Sequence, residues 1–164
     1  MKNKLRIHYK SFDKSSYSKL LVQKLKENDF YKNSKNIMIF YTLKNEVNLL
    51  ELLEDNTKNF FLPKINNDTL CCCPYCKDDE LISAKFNTFE PKTEPFDKNL
   101  IDLIIVPALC CDKNGYRIGY GGGYYDKFLK DCTGIKVACL PKQLVFESIY
   151  PEEFDIKMDY IITD

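Results

Sequence analysis

Asp102-Leu-Ile-Ile-Val-Pro107 is the clearest strand in the chain, four consecutive apolar and mainly β-branched residues that stop at a proline. Such a run has no polar face, which is the pattern of a strand buried on both sides. Shortly after it comes Asp112-Lys-Asn-Gly-Tyr-Arg-Ile-Gly-Tyr-Gly-Gly-Gly-Tyr-Tyr-Asp126, and from Tyr124 to Asp131 the apolar spacing turns helical. Toward the N-terminus, Phe60-Phe-Leu62 before Pro63 reads as a strand, and Leu70 to Tyr75, interrupted by Pro74, reads as an edge strand. Glu46 to Glu54 has helical spacing, Asn36 to Thr42 reads as a buried strand, and Lys2 to Lys26 as one or two helices. Toward the C-terminus, Ile135 to Leu140 and Tyr160 to Thr163 read as strands; Pro91 to Asp97 reads as a loop. Strands and helices alternate. The expectation is an α/β fold, a single domain over residues 1–164 with a mostly parallel sheet flanked by helices, and ligands beyond the carboxyl ends of the strands.

Composition narrows the function classes. The 164 residues carry 24 basic and 24 acidic side chains, so no global positive field recruits a nucleic-acid backbone or an anionic membrane surface. Any anion binding has to be local. No stretch approaches the roughly 20 apolar residues that a membrane span needs, and the start is charged rather than signal-like. Eight cysteines without a secretion signal read as reduced thiols, which favours the cytoplasm. A monomer is expected, with neither nucleic acid nor membrane as partner.

The glycine-rich segment holds five of the six glycines of the protein. Without Cβ atoms, Gly119, Gly121, Gly122 and Gly123 can take positive φ and bring backbone N–H groups close to a ligand, and a helix beginning near Tyr124 would add its positive end. Phosphate is the natural guest. A Walker loop would need a lysine and then Ser or Thr where Tyr124 and Tyr125 stand, and the dinucleotide fingerprint would need a glycine at Tyr124. Neither motif is present. Arg117 can pair with phosphate. Asp126 has the wrong charge for that, and suits either a magnesium ion bridging carboxylate and phosphate or a carboxylate in the first turn of a helix.

The strand Asp102 to Pro107, followed by Asp112-Lys-Asn-Gly-x-Arg-Ile-Gly-Tyr-Gly-Gly-Gly-Tyr-Tyr-Asp126-Lys-Phe-Leu, resembles the signature of the 5-formyltetrahydrofolate cyclo-ligase family. Weaker likenesses extend over most of the chain: Lys2-x-x-Leu-Arg6, Asn45-Glu46-Val, Phe89-Glu90-Pro91 and Asp155-x-x-x-Asp159-Tyr-Ile-Ile-Thr. The resemblance implies an enzyme in which ATP phosphorylates the formyl oxygen of 5-formyltetrahydrofolate. The folate N10 then closes the ring to give 5,10-methenyltetrahydrofolate, ADP and phosphate. It implies that Lys2 and Arg6 reach phosphate from the first helix and that Arg117, Ile118, Gly119, Tyr120, Gly121, Gly122, Gly123, Tyr124 and Tyr125 wrap ATP. Arg117 and Tyr124 then stand at the reacting centre. The folate would meet Tyr41, Glu46 and the Tyr120 to Tyr124 stretch, and magnesium would meet Asp126 and Asp155, while Asp159 shapes the last turn.

On spacing alone, Lys2 and Arg6 share a helix face that could equally be solvated, and Glu46 could be an ordinary first-turn glutamate. Departures from the family pattern fall mainly outside the signature, at Cys110-Cys111 and Cys71-Cys-Cys-Pro-Tyr-Cys76. Cys73-x-x-Cys76 could seed a zinc site, but no second well-spaced pair exists and His8 is the only histidine. Buried strand cysteines are the expectation. Two other classes fit the element order: a nucleotide-binding regulatory protein without catalysis, and a sugar-phosphate isomerase or kinase-like enzyme. The first leaves Arg117, Asp126 and Glu46 without a purpose, and the second leaves the Gly119 to Asp126 match to chance.

Overall fold

The computed structural model describes residues 1–164. Strands follow one another as β1 (Asn36–Met38), β2 (Asn59–Asn66), β3 (Thr69–Tyr75), β4 (Leu81–Ser83), β5 (Phe89–Pro91), β6 (Leu103–Ile105), β7 (Cys110–Asp112), β8 (Arg117–Ile118), β9 (Ile135–Cys139), β10 (Val145–Phe146) and β11 (Tyr160–Ile162). The α-helices are α1 (Lys2–Tyr9), α2 (Ser18–Glu27), α3 (Asp29–Asn33) and α4 (Tyr124–Leu129). β6 lies inside a six-stranded sheet of order β11-β9-β6-β1-β2-β3. All pairings are parallel except β2 with β3. This is the α/β architecture expected from the sequence.

Strand alternation divides the interior into two cores. Ile37, Ile39, Leu103, Ile105 and Val137 face Leu21, Val22 and Leu25 of α2. Met38, Ile104, Val106 and Ala138 face Phe128 and Leu129 of α4. Each side chain in these rows is almost wholly withdrawn from water, worth roughly 1.5–3 kcal/mol for a Val, Leu, Ile or Phe. No helix is long and apolar enough to cross a membrane, and all eight cysteines are free thiols.

Several segments differ from expectation for identifiable reasons. The ladder of β1 ends at Met38 and Ile39, whose N–H donates to the Phe61 carbonyl at 2.9 Å. Phe40 and Tyr41 leave the sheet. β2 does not stop at Pro63 but runs to Asn66. Ile65, two residues on and facing the same way, donates its N–H to Glu90 Oε1 at 3.1 Å instead of to a strand, so the proline ring sits on an edge where no ladder needs a donor. A two-residue turn at Asn67 and Asp68, both with positive φ, leads into β3. β3 is the edge expected from Pro74, partly closed by the Phe96 N–H bonding the Cys72 carbonyl at 2.8 Å. Pro91 to Asp97 is therefore not a plain loop. The helical spacing of Glu46 to Glu54 yields only a 3-10 turn, Leu50–Glu54, because Asn45 takes positive φ and the Asn48 side chain accepts the Leu50 N–H at 2.9 Å. The helix expected to reach Asp131 stops at Leu129. Finally, β7, β8 and β10 form a second small sheet that places Arg117 and Ile118 on a strand rather than in the loop.

Candidate functional site

Beyond the carboxyl ends of β1 and β6, Phe40, Tyr41 and Pro107 border a cavity of about 530 Å³. Every residue assigned from the sequence to ATP, folate or magnesium lines it. Lys2 and Arg6 come from α1, Tyr41 and Glu46 from the stretch after β1, Arg117 and Ile118 from β8, and Gly119 to Gly123 from the loop that follows. Tyr124, Tyr125 and Asp126 open α4, and Asp155 arrives from the C-terminal segment.

The glycines answer a steric demand. Gly121 has φ of +107°, closed to most side chains, and a Cβ there would come within 3.3 Å of Arg6 Nε; at Gly119 it would come within 2.8 Å of an Arg117 nitrogen. The loop thus packs its bare backbone against two guanidinium groups, and Arg6 Nε donates to the Gly119 carbonyl at 2.9 Å. A turn needing only flexibility would not require this. The expected helix-dipole contribution is reduced, since α4 has only six residues. Side-chain charges, Lys2, Arg6 and Arg117 beside Asp126, Glu152 and Asp155, set the field instead.

Arg117 is 6% exposed. Its Nη2 donates to Asp126 Oδ1 at a long 3.5 Å, its plane lies over the Tyr125 ring at 5.7 Å, and its Nε is enclosed without an acceptor. The Tyr125 hydroxyl is likewise enclosed and unpartnered, and burial pushes it well above the usual phenol range. Asp126 does sit in the first turn of α4, and its Oδ1 also accepts the Ile156 N–H at 3.2 Å. That bond ties α4 to the segment carrying Asp155. Asp155 Oδ2 accepts the Glu152 N–H at 2.6 Å and pairs with Lys2 Nζ, which also reaches Glu152 at 3.2 Å. Lys2 and Arg6 therefore do not form a solvated face.

At the other end, Glu46 is 4% exposed and lies ahead of the 3-10 turn, not in it. Its Oε2 accepts the Leu43 N–H and its Oε1 the Tyr120 hydroxyl, both at 2.7 Å. Burial raises its carboxyl above the ordinary value, against the pull of those two bonds and of Lys14. Tyr41 packs on Phe89 with ring centroids 5.2 Å apart, and Pro63, Ile65 and Leu70 continue an apolar wall. The cavity accordingly has an end of paired cations and carboxylates and an aromatic, apolar end holding one buried carboxylate. The glycine loop touches both.

Sequence reading missed several residues that line the cavity. Lys10 continues the four-residue spacing of Lys2 and Arg6, which was the available signal. Phe86, Thr88, Phe89 and Glu90 come from the β4–β5 hairpin; Phe89 and Glu90 were part of a quoted likeness but carried no role. Glu152 and Phe154, just before Asp155, left no signal. In the cysteine cluster, Cys72 and Cys73 are buried and Cys76 is exposed, and nowhere do three or more His, Cys, Asp or Glu side chains group to hold a metal ion.

The model of the 5-formyltetrahydrofolate cyclo-ligase family matches residues 2–164. A mouse protein named 5-formyltetrahydrofolate cyclo-ligase is 29% identical over 164 residues, covering 88% of this chain and 81% of the relative. The NMR structure of an Aquifex aeolicus 5,10-methenyltetrahydrofolate synthetase is 28% identical, with a TM-score of 0.86 over 99% of this chain and 87% of the other. A 5,10-methenyltetrahydrofolate synthetase from Mycoplasma pneumoniae has a TM-score of 0.78 at 25% identity, covering 99% and 98%. Sequence and fold agree, and the chain belongs to the 5-formyltetrahydrofolate cyclo-ligase family.

Proposed function

We propose that this protein catalyses the ATP- and magnesium-dependent conversion of 5-formyltetrahydrofolate to 5,10-methenyltetrahydrofolate, with release of ADP and phosphate, in the cytoplasm and as a monomer. The observation that carries this is one cavity whose cationic end and aromatic end are joined by the same glycine loop.

The cationic end fits a triphosphate. Arg117 lines the cavity and holds Asp126 only through a long 3.5 Å contact, which leaves its guanidinium able to pair with phosphate oxygens. Lys2 and Arg6 add charge from α1. Asp126 and Asp155 are too few to cage a cation alone, which suits magnesium, an ion usually held by one or two carboxylates together with phosphate oxygens and water. Lys2 and Arg117 neutralise those carboxylates meanwhile. Magnesium, when bound, would neutralise charge on the phosphates.

At the aromatic end, Tyr41 forms apolar wall for the pteridine and Glu46 accepts its N–H groups, while Tyr120 holds Glu46 in place. Tyr120 to Tyr124 border the formyl group. The reaction moves the γ-phosphoryl group onto the formyl oxygen; N10 then attacks the formyl carbon, the bond from that carbon to the phosphorylated oxygen breaks, and N10 gives up its proton. No protein nucleophile is needed. Arg117 and Tyr124 serve by position and electrostatics, the terms that dominate phosphoryl transfer.

The test is direct. Purified protein with 5-formyltetrahydrofolate, ATP and magnesium should generate the ultraviolet absorbance of the methenyl product, dependent on all three. Well-folded protein that gives no such signal would overturn the proposal.

A further inference from the structure

Lys14 lies in the connection between α1 and α2, and its backbone N–H donates to the Asn45 carbonyl at 3.0 Å, tying it to the turn that carries Glu46. Its side chain is enclosed, at 2% exposure, and its Nζ has no hydrogen-bond acceptor. Lysine is almost never buried unpaired, because three donors lose water and gain nothing. Burial pushes its ammonium below the ordinary 10.5, and nearby anions pull it back. The groups facing Lys14 are Glu46, Cys110 and Asp13. Asp13 is exposed and already accepts the Ser15 N–H at 2.9 Å, and burial pushes the Cys110 thiol up to about 11, leaving it neutral near pH 7. Glu46 is the one buried carboxyl of the three.

Around Glu46 the titratable neighbours are Tyr120, Tyr125 and Lys14. Tyr125 is held neutral by burial, and Tyr120 by the desolvation of its hydroxyl against Glu46, so Lys14 is the only buried positive neighbour of Glu46. Lys14 does not line the cavity, whereas Glu46 does. We infer that Lys14 is a positioning residue, an ammonium set behind the cavity wall that keeps Glu46 an anion and so presents the folate with a pair of carboxylate oxygens as acceptors. The role toward folate rests on the cyclo-ligase reading; the coupling between the two side chains does not.

The sign follows from burial. Glu46 is pushed toward its neutral form, and Lys14 pulls it back. Removing the ammonium frees the upward push. Glutamate-labelled protein without ligand is therefore titrated by carboxyl ¹³C NMR, with Glu46→Gln identifying the resonance. Lys14→Met, of similar length and without charge, should raise the Glu46 midpoint by about one unit or more, within the range that neighbouring charges produce. The low-pH limb of kcat/KM for 5-formyltetrahydrofolate should move up with it, KM rising more than kcat falls. A residue that merely fills space would change the melting temperature and leave both profiles in place, and an unmoved midpoint overturns the inference. If Lys14→Met does not fold, the reciprocal measurement decides: Glu46→Gln should lower the midpoint of the Lys14 ζ-nitrogen resonance, since coupling is mutual, and an unchanged lysine midpoint overturns it. A moved midpoint in protein without cyclo-ligase activity supports the coupling and sinks the cyclo-ligase reading alone.

Discussion

Asp126 illustrates how a single carboxylate can be legible in part. Its acidity beside a glycine-rich loop left magnesium and a first-turn carboxylate open, and it does sit in that first turn while also bonding Arg117 and the Ile156 N–H. Asp126→Asn should keep most of the folding stability, losing about 1 kcal/mol with the weakened hydrogen bonds. Magnesium-dependent turnover should fall far more, on the order of a hundredfold, if lost charge stabilisation in transfer is comparable to the loss of one preorganised donor. Magnesium titrations of rate beside thermal melts check both. Tyr120→Phe removes one of the two bonds that hold Glu46 ionised. A raised carboxyl binds its proton more tightly in the folded state, so its stabilising contribution is complete below the ordinary 4.5 and is lost as pH rises through the raised value. In Tyr120→Phe that window widens, and the acid limb of kcat/KM should move up by about half a unit to one unit, the worth of one hydrogen bond. For the Lys14–Glu46 pair, Lys14→Met/Glu46→Gln should be at least as stable as the native protein, by up to about 4 kcal/mol in denaturant unfolding at pH 7, and more stable than either single variant. Lys14 could not have been found from sequence, since nothing local distinguishes it from the other lysines of the first thirty residues.

Elements were legible where packing alone decides them. β6 announces itself because both faces are apolar, and β3 was recognisable as an edge from Pro74. Pro63 misled, because whether a proline ends a strand depends on which neighbour its missing N–H faces, and that is set by β1 and β5 far away in sequence. The β7–β8–β10 sheet was invisible because two- and three-residue strands leave no periodicity. α1 was readable as a helix, yet none of its residues is buried; it is held through partly buried Leu5 and Tyr9 and through the polar contacts of Lys2 and Arg6. Its docking and the cationic end of the cavity are therefore one structure. Amide exchange over Lys2–Tyr9 should be fast in free protein and faster in Arg6→Met, and should slow several-fold on adding ATP and magnesium, as read by mass spectrometry. Exchange unaffected by nucleotide would separate α1 from the site.

Across the whole molecule, the fold class followed from alternation of strands and helices, and the cavity could not, because its walls come from residues more than 150 positions apart. Lys2 meeting Asp155 is the extreme case. The same three-dimensional arrangement governs the thiols. Cys72 and Cys110 are pushed by burial to about 11, and Cys73 and Cys139 to about 12. Thiolate being the reactive form, these should ignore an aromatic disulfide reagent at pH 8 while exposed Cys76 reacts at once and half-buried Cys71 more slowly, the buried thiols following only in denaturant. Several rapid equivalents in folded protein would contradict this burial. The location of α1 also has a practical side. Met1 caps the helix whose next residue already faces the cavity. A bulky label attached to this first turn of α1 would stand at the mouth of the cavity and narrow it, whereas one on β11 would leave the entrance clear.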